Sequence, residues 1–148
     1  MPGQAAAKAL SAHEISHAVI KCALKVHSAL GPGLLESTYE ACLAHELRTA
    51  GLKVETQLAL PVVYDSVKLD IGYRIDMMVN DLVIVELKSV EEISRVHVAQ
   101  VISYLKLSKK KLGLIIKFQR FTPEGRHKTA GRRHRVEMTF VFLRVLCG

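Results

Sequence analysis

Leu82 to Leu87 is an almost unbroken apolar run, with a single carboxylate, Glu86, set into it. A strand that is apolar on both faces must be covered on both faces, so it belongs inside a sheet with other elements packed above and below. The run continues into Lys88, and a further charge, Asp76, interrupts the apolar stretch Ile75-Asp76-Met77-Met78-Val79 just upstream. A charge taken into such a sheet is costly unless it is paired or ligates a metal. Three charges enter one sheet region and need an explanation.

The neighbouring patterns supply the covering layers. Ser11-Ala12-His13-Glu14 is a capping box that opens a helix. Ile15, Val19, Cys22, Val26 and Leu30 form its stripe, and Gly31-Pro32-Gly33 ends it. A second helix is predicted from near Leu34 to about Ala50, with Leu35, Tyr39, Cys42, Leu43 and Leu47 on one face and Gly51 at its C′ position. Lys53 to Tyr64 then reads as extended, with Pro61 marking an edge or a bulge. Asp65-Ser66 reads as a turn, Leu69 to Val79 as a second strand region, and Asn80-Asp81 as a tight hairpin turn. A third helix is predicted over roughly Glu92 to Ser108, followed by a buried strand over Leu112 to Phe118 and a candidate last strand over Val136 to Leu146. The order is α-α-β-β-β-α-β with a possible last strand: an α/β sandwich whose sheet carries helices on its faces.

The bulk numbers fit one domain of 148 residues, 49% hydrophobic and 24% charged, with an aliphatic core since aromatics make up 5%. The net charge of +7 is concentrated: Lys117 to Arg135 holds seven basic residues and one acid, leaving the rest near +1. That segment reads either as a phosphate-contacting surface or as a solvated tail. Met1 to Leu10 is Ala-rich and reads as frayed. Three widely spaced cysteines, with no CxxC pair, fit a reducing cytoplasm, and no charged-then-apolar leader or long apolar run points to secretion or a membrane.

Alternation along a strand puts Glu86 and Lys88 on one face and Leu87 on the other. If Asn80 and Asp81 are the two turn residues, Val79 pairs with Leu82, position 76 falls opposite position 85, and Asp76 sits beside Glu86, one position off. Two adjacent carboxylates repel unless a cation neutralises them. Mg²⁺ or Mn²⁺ suits such a site, with the Leu87 carbonyl as a further ligand and Lys88 placed to hold or deprotonate an attacking water. The competing reading is a buried Asp–Lys–Glu salt-bridge cluster without metal. Gln100 and Tyr104, at i and i+4 on the third helix, share a polar face with His97 that can line the same cleft and hydrogen-bond a phosphate.

Several segments together resemble a known family. They are Gly33-Leu34-Leu35-Glu36-Ser37-Thr38-Tyr39-Glu40, Tyr73-Arg74-Ile75-Asp76, Val83 to Val90, His97 to Leu105 and Lys111 to Ile116. The chain is similar, over about Ser11 to Phe118, to GxxExxY proteins, small proteins placed in the PD-(D/E)xK nuclease-like superfamily. The resemblance implies a restriction-endonuclease-like core with a central mixed β-sheet flanked by helices. It implies Asp76 and Glu86 as metal ligands, joined by Glu36 as an acid that reaches the metal site from an N-terminal helix, Lys88 as the catalytic lysine, and Gln100 and Tyr104 as a QxxxY helix. For Glu36 the alternative is a first-turn residue that favours the helix dipole. Tyr39 and Glu40 carry no assigned chemistry. The family usually has Asn-Phe where this chain has Lys117-Phe118, and Gln119 to Gly148 does not resemble the family ending.

The leading expectation is a metal-dependent nuclease acting on DNA or RNA, cutting by water attack to leave a 5′-phosphate as the superfamily implies. The alternative is a catalytically silent module that keeps the fold to bind nucleic acid or a protein, with a homodimer or protein partner compatible with either. The scarcity of interleaved aromatics argues against a stacking platform for single strands.

Overall fold

A computed structural model describes residues 8–70, 72–118 and 138–146. Helices α1 (Ala12–Leu30) and α2 (Glu36–Thr49) precede five strands, β1 (Val54–Ala59), β2 (Val62–Tyr64), β3 (Val67–Leu69), β4 (Arg74–Val79) and β5 (Val83–Lys88); helix α3 (Arg95–Ser108) and strands β6 (Leu112–Phe118) and β7 (Met138–Arg144) follow. The main sheet runs β1-β4-β5-β6-β7, and β2 and β3 form a separate ribbon. Among the described strands only β5 and β6 are parallel, joined through α3, as a parallel pair requires a long crossover. A five-stranded mixed sheet flanked by helices is the expected restriction-endonuclease-like arrangement.

Two of the expected strand regions divide. The Lys53–Tyr64 stretch breaks at Leu60-Pro61, because proline has no N–H for the ladder, so β1 lies on the sheet edge and β2 leaves it. The Leu69–Val79 stretch also divides: Asp65, at φ 55°, turns β3 back onto β2, and β4 starts only at Arg74. The capping box at Ser11 is present, Gly51 follows the α2 cap at Ala50 with φ 86°, and the candidate last strand exists as β7. The frayed segment expected up to residue 10 lies mostly, and the basic segment after Lys117 almost wholly, outside the described residues. Among the described residues no helix is long and apolar enough to cross a membrane.

The sheet separates two cores. On one side Ile15, Val19, Val26, Tyr39, Leu43 and Leu47 of α1 and α2 meet Met77, Val83, Val85 and Leu87. On the other, Val101, Tyr104 and Leu105 of α3 meet Ile75, Met78, Ile84 and Ile115. Tyr39 resolves one motif position: its hydroxyl donates to the Ala23 carbonyl of α1 at 3.0 Å, and its ring stacks on Phe118 at 4.2 Å. It ties α1, α2 and β6 together. Cys22 is buried in the same core, while Cys42 is only half-buried.

Gly113 sets how closely α3 approaches β6. A Cβ there would meet Val101 Cγ1 at 2.8 Å and Leu105 Cδ1 at 3.2 Å. Gly113→Ala is expected to lower stability by about 1–3 kcal/mol through overpacking, read as a lower urea midpoint at unchanged slope. An unchanged midpoint would mean that α3 is free to shift outward.

Candidate functional site

The β4–β5 hairpin determines which residues meet. Asn80 and Asp81 both adopt the left-handed conformation, at φ 50° and 56°, and the Leu82 N–H closes the turn on the Val79 carbonyl at 3.0 Å. Leu82 then adds a residue beyond the two-residue turn, so Val79 pairs with Val83, not with Leu82. The expected register is corrected by one: continuing from Met77↔Val85, position 76 falls opposite 86. The two carboxylates are thus brought side by side, Asp76 N–H pointing to Glu86 Oε2 at 3.5 Å.

Regular pairing of β4 with β5 stops at Met77↔Val85. Side alternation along β4 also breaks there, since Ile75 belongs to the α3-side core and Met77 to the α1–α2 core. Asp76 sits at that break. Carboxylates take over the ladder bonds that end with the pairing: Leu87 N–H donates to Asp76 Oδ2 at 2.9 Å, and Asp76 N–H points to Glu86 Oε2 at 3.5 Å. Lys88 Nζ lies 3.4 Å from Glu86 Oε1. The Leu87 side chain is buried in the opposite core, while its backbone lies against Asp76.

Two residues reach in from α2. Glu36 opens that helix and accepts the Ser89 N–H at 2.7 Å, just past the end of β5. Its carboxylate therefore clamps the strand exit, and its charge still acts on Asp76 and Glu40. Glu40, one turn on, accepts from the Gln57 amide at 2.8 Å, and the same amide lies 3.5 Å from Asp76 Oδ1. Gln57 sits within β1 at φ 52°, a left-handed backbone that costs about 1–2 kcal/mol for a residue with a side chain. Sequence reasoning missed both as site residues. Glu40 has a legible signal, being four residues from Glu36 on one helix face. Gln57 has none, because its aim depends on the unusual backbone.

On α3, Gln100 Nε2 donates to the Tyr104 hydroxyl at 2.7 Å. Tyr104 is buried in one core with Ile75, the neighbour of Asp76, and its hydroxyl pKa is raised by that burial and then by the charge of Glu86. His97 does not extend this face as expected. Its Nδ1 accepts the Ser94 N–H at 3.1 Å, completing a capping box at the start of α3.

The electrostatics are lopsided. Burial raises the Asp76 carboxyl above the usual range, while the Leu87 N–H and Lys88 pull it back in part. Burial, then the charge of Asp76, pushes Glu86 up to about 7, against the partial relief of Lys88. Glu40 is raised by burial first, with its Gln57 hydrogen bond lowering it and Asp76 and Glu36 raising it. Among the described residues one ammonium thus stands against several carboxylates, an excess of negative charge that suits a cation. Among the described residues no group of three His, Cys, Asp or Glu side chains is placed to hold a metal ion. The donor set is a pair of carboxylates with backbone nearby, which fits Mg²⁺ or Mn²⁺ completed by water and phosphate oxygens rather than a zinc cage.

A family model described as the PD-(D/E)XK nuclease superfamily matches residues 13–129. No curated protein and no solved structure matches the chain.

The raised Glu86 carboxyl has a sign that can be checked. The folded chain holds this proton up to about pH 7, whereas its ordinary value is 4.5, so the metal-free fold loses stability as pH climbs through that window. Glu86→Gln removes the charge and is expected to raise the melting temperature in chelator by several degrees at pH 8, with the gain fading toward pH 5. A difference that does not vary with pH would mean that Glu86 carries no strained charge.

Proposed function

The chain belongs to the PD-(D/E)XK nuclease superfamily, and from that premise we propose that it is a divalent-cation-dependent nuclease hydrolysing phosphodiester bonds of DNA or RNA. Within the superfamily we place it among the GxxExxY proteins, as one domain over its whole length. The observation that carries the reading is the meeting of Asp76 and Glu86 where β4 and β5 part, with the Lys88 ammonium 3.4 Å from Glu86.

In this reading Asp76, Glu86 and the Leu87 carbonyl hold Mg²⁺ or Mn²⁺, which when bound supplies Lewis-acid polarisation of the phosphate and offsets developing charge. Glu36 holds the β5 exit through Ser89 and adds negative charge at the cation's side. Glu40, through Gln57, restrains the outer oxygen of Asp76. Lys88 aligns the attacking water on the scissile phosphorus and balances charge as the phosphorane-like transition state forms; its compact ammonium acts as a point charge. Gln100 and Tyr104 hold the substrate backbone by hydrogen bonds from the α3 side. The excess of basic residues, +7 overall, favours a polyanionic substrate.

Calorimetric titration with Mn²⁺ or Mg²⁺ is expected to show binding that Asp76→Ala or Glu86→Ala abolishes. Lys88→Ala is expected to keep metal affinity while lowering metal-dependent cleavage of single- or double-stranded DNA or RNA by at least about a hundredfold, in the range of a lost group that stabilises transition-state charge. A flat titration of the native chain would overturn the reading. Equal cleavage by native and Lys88→Ala protein would mark the activity as foreign. Binding of nucleic acid and metal with no cleavage would make the chain a silent module of this fold.

A further inference from the structure

We propose that the cleft between α3 and Tyr73 receives one unpaired nucleobase of the strand being cut, so that the chain acts on single-stranded or frayed nucleic acid in preference to intact duplex. The inference rests on the nuclease reading and adds the substrate class to it.

The cleft has a volume of about 660 Å³ and is lined by Val62, Tyr73, Gln100, Tyr104 and Leu107, with Lys106 among its residues. This falls within the range of small-molecule sites, about 300–1,000 Å³, and shares their make-up of apolar walls with a few polar groups. A base has the matching chemistry, with flat apolar faces and hydrogen-bonding edges. Tyr73 and Tyr104 meet edge to face, with centroids 6.3 Å apart and planes at 69°. Tyr73 remains 43% exposed, which leaves ring surface available to a planar guest. Gln100, hydrogen-bonded to Tyr104, offers its amide oxygen to a base edge.

The cleft adjoins the carboxylate site, since Tyr104 packs in one core with Ile75, the chain neighbour of Asp76. Tyr104 lines it and also feels the charges of Glu86 and Asp76. Tyr73 lies three residues before Asp76, where the Leu60 N–H holds its carbonyl at 2.8 Å, so strand geometry puts it about 10 Å from the carboxylates, within reach of one nucleotide. Lys106 offers a positive charge to a neighbouring phosphate. A duplex keeps its base faces stacked and its bases paired, and taking one out must break both. A free strand loses less. The scarcity of aromatics excludes a long stacking platform, but one pocket needs only the two tyrosines that folding brings together.

The test uses the full chain carrying Lys88→Ala, with Mn²⁺, and fluorescence anisotropy of short labelled oligonucleotides. DNA and RNA are each offered as single strand, as duplex, and as single strand with one abasic position moved along the sequence. The expected result is that single strand binds about tenfold or more tightly than duplex and that one abasic position removes this advantage. Ser103→Trp, which fills the cleft from an exposed helix position, is expected to abolish the preference while leaving duplex affinity unchanged and circular dichroism native. Equal affinity for single strand and duplex would overturn the inference, as would indifference to every abasic position. The wild-type chain separates the two claims. Metal-dependent cleavage without strand preference removes the base pocket alone, whereas the abasic effect without any cleavage upholds the pocket and removes the nuclease reading.

Discussion

Carboxylates held close together away from water repel each other, and everything around Asp76 and Glu86 answers to that repulsion. Glu86 is almost fully buried, and among the described residues one ammonium, Lys88, stands beside it. The Leu87 N–H and the Gln57 amide each satisfy part of Asp76. These donors do not cancel the negative charge, and burial still leaves both carboxyls raised. A fold selected only for stability gains little from such a cluster, since well-packed apolar residues of similar size commonly serve as well or better. The arrangement makes physical sense when something cationic joins it.

The scaffold tolerates this cluster because the sheet is secured on both sides. Tyr39 fastens α1 and α2 over one face, and the absent side chain at Gly113 lets α3 settle onto the other. β5, in the middle of the sheet, is bonded to β4 and β6 along its apolar length, and its last residues carry the charged groups. The strain is local: the left-handed backbone at Gln57, the broken alternation at Asp76, and ladder bonds ceded to side chains. Strain of this kind persists where the surrounding structure over-determines it, and it gathers at sites that bind and react.

The site also draws on both helical layers. α2 contributes Glu36 and Glu40 from its first two turns, and α3 contributes Gln100 and Tyr104. A substrate backbone crossing the point where β4 and β5 part would meet a carboxylate pair, an ammonium and hydrogen-bond donors from three directions. The Tyr73–Tyr104 cleft is lined by the same helix, with Gln100 and Tyr104 on its wall.

Much of this was legible beforehand because it depends on local chemistry. The capping box at Ser11, the apolar run ending in Glu86 and Lys88, the interrupted strand at Asp76 and the i, i+4 spacing of Gln100 and Tyr104 are all matters of period and neighbouring residues. They set the helices, the middle strand, the mixed layered architecture and most of the candidate site. The one-residue shift of the hairpin was not legible, because Leu82 looks like any apolar strand residue and its place outside the two-residue turn is decided by how β4 and β5 pair. His97 reads as part of a polar face until the helix start is known, and then it is a cap. Glu40 and Gln57 belong to different elements, seventeen residues apart, and only the packing of α2 against β1 brings carboxylate and amide to 2.8 Å. What the sequence determined alone is which charges had to be housed inside a sheet. How they face one another, and what stands beside them, was decided in three dimensions, because register, backbone strain and contacts between distant elements are properties of the assembled chain.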